Sequence, residues 1–288
     1  MSDYVEIFEM GPRDGLQNEK RLIPTADKIA LVDMLSGAGF RRIEATSFVS
    51  PKWVPQMADA AEVMAGIHRA PDVSYAVLTP NMQGYAGAKA ARADEIAIFA
   101  SASEGFSKAN LNATIEESFE RFAPIMEAAR NDGIPVRGYV SMVTDSPFDG
   151  ATPPSEVARV AARLFAMGCY EISLGDTVGQ ATPESIDAML DAVLQVVPAD
   201  HLAGHYHDTA GRALLNIDAS LARGLRVFDA AVGGLGGCPY APGAAGNVAT
   251  ERVAAHLMQA GYATRLDMDK IAAAADFARC LRSGGVDA

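Results

Sequence analysis

Cysteine is scarce in this chain: three in 288 residues, Cys169, Cys238 and Cys280, widely spaced and with no CxxC pair. An odd, scattered count excludes a disulfide framework and a zinc knuckle, and leaves reduced thiols in a cytoplasmic protein as the plain expectation. Positive charge is also short. Lys and Arg number 24 against 36 Asp and Glu, a formal net charge of −12. Such a field repels nucleic acid, and the cations are scattered rather than gathered on one stripe. An anionic substrate must therefore be met by a few local cations, with a bound metal ion as the obvious supplement. No run of ~18 apolar residues is free of charges or breakers, so no membrane-spanning helix is expected. The N-terminus enters an apolar strand pattern directly, without a basic leader, so no signal or transit peptide is expected. A glycine-rich phosphate turn is missing too. The first strand runs into Gly11-Pro12-Arg13-Asp14-Gly15, which is not GxGxxG, and this disfavours an open dinucleotide-binding sheet.

What is present is a regular alternation. The chain is 49% hydrophobic, and its length suits one α/β barrel of about 250 residues with some addition. Eight β-type runs recur: Val5–Met10, Arg42–Phe48, Val73–Thr79, Glu95–Ser101, Val136–Met142, Tyr170–Gly175, Ala203–His207 and Val227–Val232. Between them lie helical periodicities such as Ile29, Val32 and Leu35, or Leu214, Ile217 and Leu221. Strand alternating with helix implies parallel strands joined by helical crossovers. Thr152-Pro153 and Thr182-Pro183 read as N-caps followed by proline at the first helical position. Thr114 with Glu117 fits a capping box. Gly39, Gly133, Gly168 and Gly224 mark helix exits. No linker or composition break appears. The reading is a (β/α)₈ TIM barrel, one catalytic domain over residues 1–288, with two extra helices after Tyr240.

In such a barrel the chemistry lies where strands end and the βα loops begin. The unusual polar residues fall there: Arg13 and Asp14 after the first strand, Glu44 and Ser47 late in the second, Ser173 and Asp176 in and after the sixth, His205, His207 and Asp208 at the seventh. His205 and His207 share one face of their strand, because side chains alternate with a period of two. They are either metal ligands or two histidines satisfied by hydrogen bonds. Asp14 from another strand end and Asn247 beyond the eighth strand favour ligation. Carboxylate, imidazole and amide donors suit an octahedral divalent ion such as Mg²⁺ or Mn²⁺ rather than a closed, cysteine-rich zinc site. Arg13 beside Asp14 reads as a local ion pair or as an oxyanion stabiliser. Glu44 lies in an otherwise apolar strand, where a carboxylate is costly unless paired. Pairing with Arg13, or orienting it for catalysis, accounts for it equally. Residues 233–247 carry six glycines around Cys238. That stretch reads as a mobile lid bearing a tunable thiol, or as a close-packed turn at the rim.

Several long segments carry more than composition. EMGPRDGLQNEK, IEATSFVSPKWVPQM, CYEISLGDT, GHYHDT and GLGGCPYAPGAAGN resemble, in order and over nearly the whole chain, the motifs of the 3-hydroxy-3-methylglutaryl-CoA lyase family. The resemblance implies an acyl-CoA substrate, cleavage to acetyl-CoA and acetoacetate, a divalent metal and a homodimer. It matches Asp14, His205, His207 and Asn247 to metal ligands, Arg13 to the catalytic arginine, Glu44 to its acidic supporter and Cys238 to the loop cysteine. Asp14 and His205 both stand as the base. Ser47, Asn110, Ser173 and Asp176 match polar positions around the substrate. Lys20 and Lys52 could reach the CoA phosphates, though solvated lysines are the plainer reading. One stretch departs from the pattern: Met142 and Ser146 occupy positions where the family carries cysteines. That departure keeps a related substrate such as citramalyl-CoA open, alongside a condensing synthase and a non-catalytic acyl-CoA binder.

Overall fold

Eight short parallel strands close on themselves into a barrel: β1 (Glu6–Glu9), β2 (Arg42–Ser47), β3 (Ser74–Leu78), β4 (Glu95–Ser101), β5 (Val136–Ser141), β6 (Glu171–Asp176), β7 (Leu202–Tyr206) and β8 (Val227–Ala230). The structure is a computed structural model and describes residues 3–237 and 246–283. Closure runs through β1 and β8, in register from Glu6 opposite Val227 to Glu9 opposite Ala230. All eight expected strands form: Glu95–Ser101 has the expected bounds, the sixth and seventh are shifted by one residue, and the other five are shortened by one or two residues. The differences all fall at strand ends, where ladder pairing starts or stops. A further two-residue ladder, Asp145–Ser146 with Gly150–Ala151, follows β5 and had no sequence signal.

Side chains alternate across the wall. Val5 and Ile7 pack outward under the helices, whereas Phe8 and Met10 join Ala76, Leu78, Ala97 and Tyr139 in a small cluster inside the barrel. The barrel interior also holds charge. Arg42 lies 4.6 Å over the Phe8 ring, Arg137 4.5 Å over the same ring and 5.0 Å over Tyr139, and Arg13 5.6 Å over Tyr139. Guanidinium groups thus alternate with aromatic faces up the barrel, each attracted by the ring quadrupole.

The helices obey most of the expected signals. Thr114 and Glu117 form the capping box of the helix Ile115–Asp132, and Thr182 caps Pro183–Val193 with Ser185 reciprocating. At the third site the expectation was off by one. The helix Pro154–Met167 has Pro153 at its N-cap, and Thr152 makes no cap bond. Two adjacent prolines fit this placement, since Pro154 occupies the first helical position. All four exit glycines have positive φ. Gly39, at φ +97°, is the most constrained, because a Cβ there would come 2.5 Å from the Arg265 carbonyl oxygen. Thr250–Gln259 and Met268–Ser283 supply the two extra helices. Among the described residues no helix is long and apolar enough to cross a membrane.

Candidate metal centre and active site

Gly11–Gly15 forms a single π-helical turn at the end of β1, where the amides of Asp14 and Gly15 both donate to the Met10 carbonyl, at 2.8 and 3.1 Å. This wide turn sets Arg13 and Asp14 side by side over the barrel mouth, a placement typical of π-turns at functional sites. From β2, which carries a register shift between Glu44 and Thr46, Glu44 points to the same place. Arg13 donates through Nε to Glu44 Oε2 and through Nη1 to Asp14 Oδ1, the latter at 2.6 Å. Tyr139 donates to Glu44 Oε1 at 3.2 Å. Arg13 and Glu44 are both buried. Burial pushes Glu44 upward while the touching guanidinium pulls it back, and the two carboxylates keep Arg13 charged. The two accounts of Glu44 therefore coincide: it pairs with Arg13, and by doing so it fixes where that guanidinium points.

Asp14 connects this pair to the histidines. Its Oδ2 accepts from Asn247 Nδ2 at 2.7 Å and lies 3.8 Å from His205 Nε2. The His205 and His207 rings are 5.3 Å apart. Asp14, His205 and His207 each offer a ligand atom, all within 4.8 Å of one another. Asn247 reaches the cluster because an isolated bridge pairs it with His207, and the Asp208 amide donates to the Gly246 carbonyl at 2.8 Å. With Nδ2 committed to Asp14, the amide oxygen of Asn247 is the atom that can face a cation. Burial favours the neutral form of Asp14, but Arg13 and then the two histidines overcome it and hold the carboxyl down at about 2.

The two imidazoles differ. His205 Nδ1 bonds Asp229 Oδ2 at 3.1 Å, which leaves Nε2 facing Asp14. Burial works against its proton, yet the Asp229 bond and charge raise its pKa. His207 is pushed down to about 4 by burial and by its neighbour His205, and so is neutral near pH 7. Its Nδ1 is buried with no hydrogen-bond partner among the described residues. Such an orphaned ring atom is costly in a protein that binds nothing. The donor set, with a carboxylate, two imidazoles and an amide oxygen, fits a divalent ion with positions left open. A carboxylate behind a ligand imidazole, fixing its tautomer, is the usual support at metal sites.

That support was not anticipated. Asp229 accepts from Arg137 Nη2 at 2.8 Å and Nη1 at 3.0 Å, and Arg137 Nε bonds Glu171 at 2.7 Å. The rule applied to Glu44, a charge inside an apolar strand, would have found Arg137 in VRGYV and Asp229 in VFDAAV.

The remaining candidates are placed more diversely. Ser173 points at the same network, its hydroxyl 2.8 Å from Asp229 Oδ2. Ser47 is buried, its hydroxyl 3.5 Å from the Leu78 carbonyl. Asp176 spends its carboxylate on the backbone amides of Gly179 at 2.9 Å and Ala181 at 3.0 Å, organising the loop after β6. Asn110, Lys20 and Lys52 are exposed. Met142 is fully buried with φ +62°, a strained setting for a non-glycine residue. Ser146 shares a 2.7 Å bond with the Ser103 hydroxyl and accepts from the amides of Phe148 and Asp149. Cys238 lies outside the described residues. Of the described residues flanking the loop, Gly236 and Gly246 sit in close contacts, whereas Gly237 faces open space. A Cβ on Gly236, at φ +101°, would come 2.9 Å from Asn247 Nδ2, and one on Gly246 would come 2.4 Å from the Gly236 carbonyl oxygen.

Residues 4–278 match the family described as HMGL-like. A chicken (Gallus gallus) protein named hydroxymethylglutaryl-CoA lyase, mitochondrial, is 57% identical over 267 residues, covering 93% of this chain and 90% of the relative. The crystal structure of the HMG-CoA lyase from Brucella melitensis superposes with a TM-score of 0.97 at 62% identity, covering 98% of this chain and all of the other. An HMG-CoA lyase from Acinetobacter baumannii, in complex with coenzyme A and 3-methylmalate, superposes with a TM-score of 0.93 at 38% identity, over 98% and 92% of the two chains.

Proposed function

The chain belongs to the HMGL-like family, and from that premise we propose that its barrel cleaves 3-hydroxy-3-methylglutaryl-CoA to acetyl-CoA and acetoacetate. The observation that carries the residue assignment is one convergence at the mouth: Asp14, His205, His207 and Asn247 around a common point, with Arg13 against Asp14. We assign those four as ligands of a divalent ion, Mg²⁺ or Mn²⁺, and residues 1–288 as one catalytic domain. A cation held there would supply Lewis acidity that acidifies the substrate hydroxyl.

The reaction is a retro-Claisen cleavage. The 3-hydroxyl loses its proton, its oxygen becomes the ketone of acetoacetate, and the C2–C3 bonding pair passes into the thioester enolate. Asp14 and His205 both remain proposed as the base; with His205 Nδ1 tied to Asp229, its Nε2 would serve either as the ligand or as the proton acceptor, not as both at once. Arg13, kept charged and aimed by Glu44, stabilises the enolate oxygen. Cys238 delivers or relays the proton that completes acetyl-CoA. Ser47, Asn110, Ser173 and Asp176 remain proposed substrate neighbours; Ser173 and Asp176 would act partly through the bonds described above. We propose a homodimer, checked by light scattering, and the cytoplasm as compartment, checked by fractionation, since the chicken relative's name places that protein in the mitochondrion.

The test is acetoacetate release from 3-hydroxy-3-methylglutaryl-CoA. Release should stop with a chelator and return with Mn²⁺; no release with metal present would refute the proposal. Cys238→Ser should slow turnover far more than it weakens Mn²⁺ binding, and equal losses of both would move Cys238 to the ligand set.

A further inference from the structure

We infer that Glu9 is a positioning residue of this active site: its carboxylate, behind the barrel wall, locks together the segments that carry Arg13, Asp14 and Asn247. Glu9 ends β1 and is fully buried. Its neighbours Phe8 and Met10 face the barrel interior, so Glu9 faces outward, into the layer between sheet and helices. Among the described residues no cation pairs with it there. Its partners are three donors from three separate segments. Oε1 accepts from the Gly11 amide at 2.7 Å and the Val232 amide at 2.9 Å, and Oε2 accepts from the Thr250 hydroxyl at 2.6 Å.

Each donor roots one part of the site. Gly11 opens the π-turn that holds Arg13 and Asp14. Val232 opens the turn Val232–Gly234, and the next residue, Leu235, accepts from Asn247 Nδ2 through its carbonyl at 3.4 Å. Thr250 begins the helix Thr250–Gln259, three residues after Asn247. Asp14 and Asn247 are 233 residues apart in sequence yet bond each other directly. A single acceptor bridging both roots fixes that distance without touching the mouth. Gly11 is matched to the arrangement, because a Cβ there would lie 2.7 Å from Glu9 Oε1. Burial pushes the Glu9 carboxyl up to about 7 despite the three bonds, so the position is held at a cost that an apolar residue would not incur.

This inference rests on the reading that Asp14 and Asn247 hold the cation, and the experiment separates the two. The full-length protein is titrated with Mn²⁺, free ion being followed by electron paramagnetic resonance, as wild type, Asp14→Ala, Glu9→Ala, Glu9→Gln and Val160→Ala. Val160 is a fully buried core residue of the helix Pro154–Met167 and serves as a destabilised control. Glu9→Ala should weaken Mn²⁺ binding about tenfold or more and lower amide-exchange protection at Gly11 and Val232. Glu9→Gln can accept both amides on its oxygen and donate to Thr250, so it should restore affinity to within about threefold. Val160→Ala should melt lower yet bind Mn²⁺ as wild type does. Wild-type affinity in Glu9→Ala, or an equal loss in Val160→Ala, would overturn the positioning role. Unchanged Mn²⁺ binding in Asp14→Ala would instead overturn the cation reading. The amide protection in Glu9→Ala would still decide whether Glu9 holds the two turns.

Discussion

Asp229→Asn probes the buried network behind the metal ligands. The native carboxylate accepts four bonds: His205 Nδ1, Arg137 Nη1 and the Ser173 hydroxyl on Oδ2, and Arg137 Nη2 on Oδ1. An asparagine has one acceptor oxygen. Placing it toward the three donors is the better choice and sets the amide NH₂ against Arg137 Nη2, donor against donor. Arg137 is 1% exposed and among the described residues keeps Glu171 alone as a charged partner. Breaking a buried ion pair in this way costs about 3–5 kcal/mol. Against a typical stability of roughly 5–15 kcal/mol the variant still folds, with a melting temperature lower by roughly 10 °C. His205 also loses the carboxylate that holds its tautomer, so Mn²⁺ affinity should fall about 10–100-fold. Ser173→Ala provides the control: it removes one of three donors from Oδ2 and leaves the charge, so its effect on Mn²⁺ binding should be small. The assays are thermal melts by circular dichroism and Mn²⁺ titration. A variant that melted lower but bound Mn²⁺ within about threefold of wild type would show that Asp229 supports Arg137 and not the metal site.

Arg13→Gln should fold and bind Mn²⁺ yet lose about 10²–10³ in kcat, because one preorganised oxyanion partner is gone; full turnover would remove Arg13 from the mechanism. Gly236→Ala combines a disfavoured φ of +101° with a Cβ 2.9 Å from Asn247 Nδ2, so it should weaken Mn²⁺ binding more than it lowers the melting temperature. The pH dependence follows from His205. Its folded pKa is raised, so in the metal-free protein its proton stabilises the fold below the unfolded value, and this stabilisation is lost as pH rises through the folded one. Metal uptake must displace that proton, so Mn²⁺ affinity should rise with pH from about 6 and level off once His205 is neutral. His207, at about 4, adds no further dependence there. Affinity that stayed flat from about pH 6 to 8 would mean the ion is not on His205.

Much of this was legible along the chain because it depends on local periodicity. Eight strands, their helical crossovers, two of three capping features and the exit glycines each need only neighbouring residues to declare themselves. His205 and His207 share a face because strand side chains alternate, whatever the rest of the protein does. The N-cap shift from Thr152 to Pro153 shows the limit even there, since two prolines in succession leave the boundary to tertiary fit. Cys238, the residue singled out in the glycine-rich loop, lies beyond the described residues and rests on the resemblance and the proposed test.

The sequence by itself determined a parallel α/β barrel, a pair of same-facing histidines and a set of polar residues at strand ends, because period and residue type carry that information locally. Only the tertiary structure decided which charges meet. It joined Asp14 to Asn247 across 233 residues, set Asp229 behind His205, stacked Arg137 between Phe8 and Tyr139, and put Glu9 on the outer side of the wall. A buried charge is stable only where partners converge on it, and that convergence is a property of barrel closure and register.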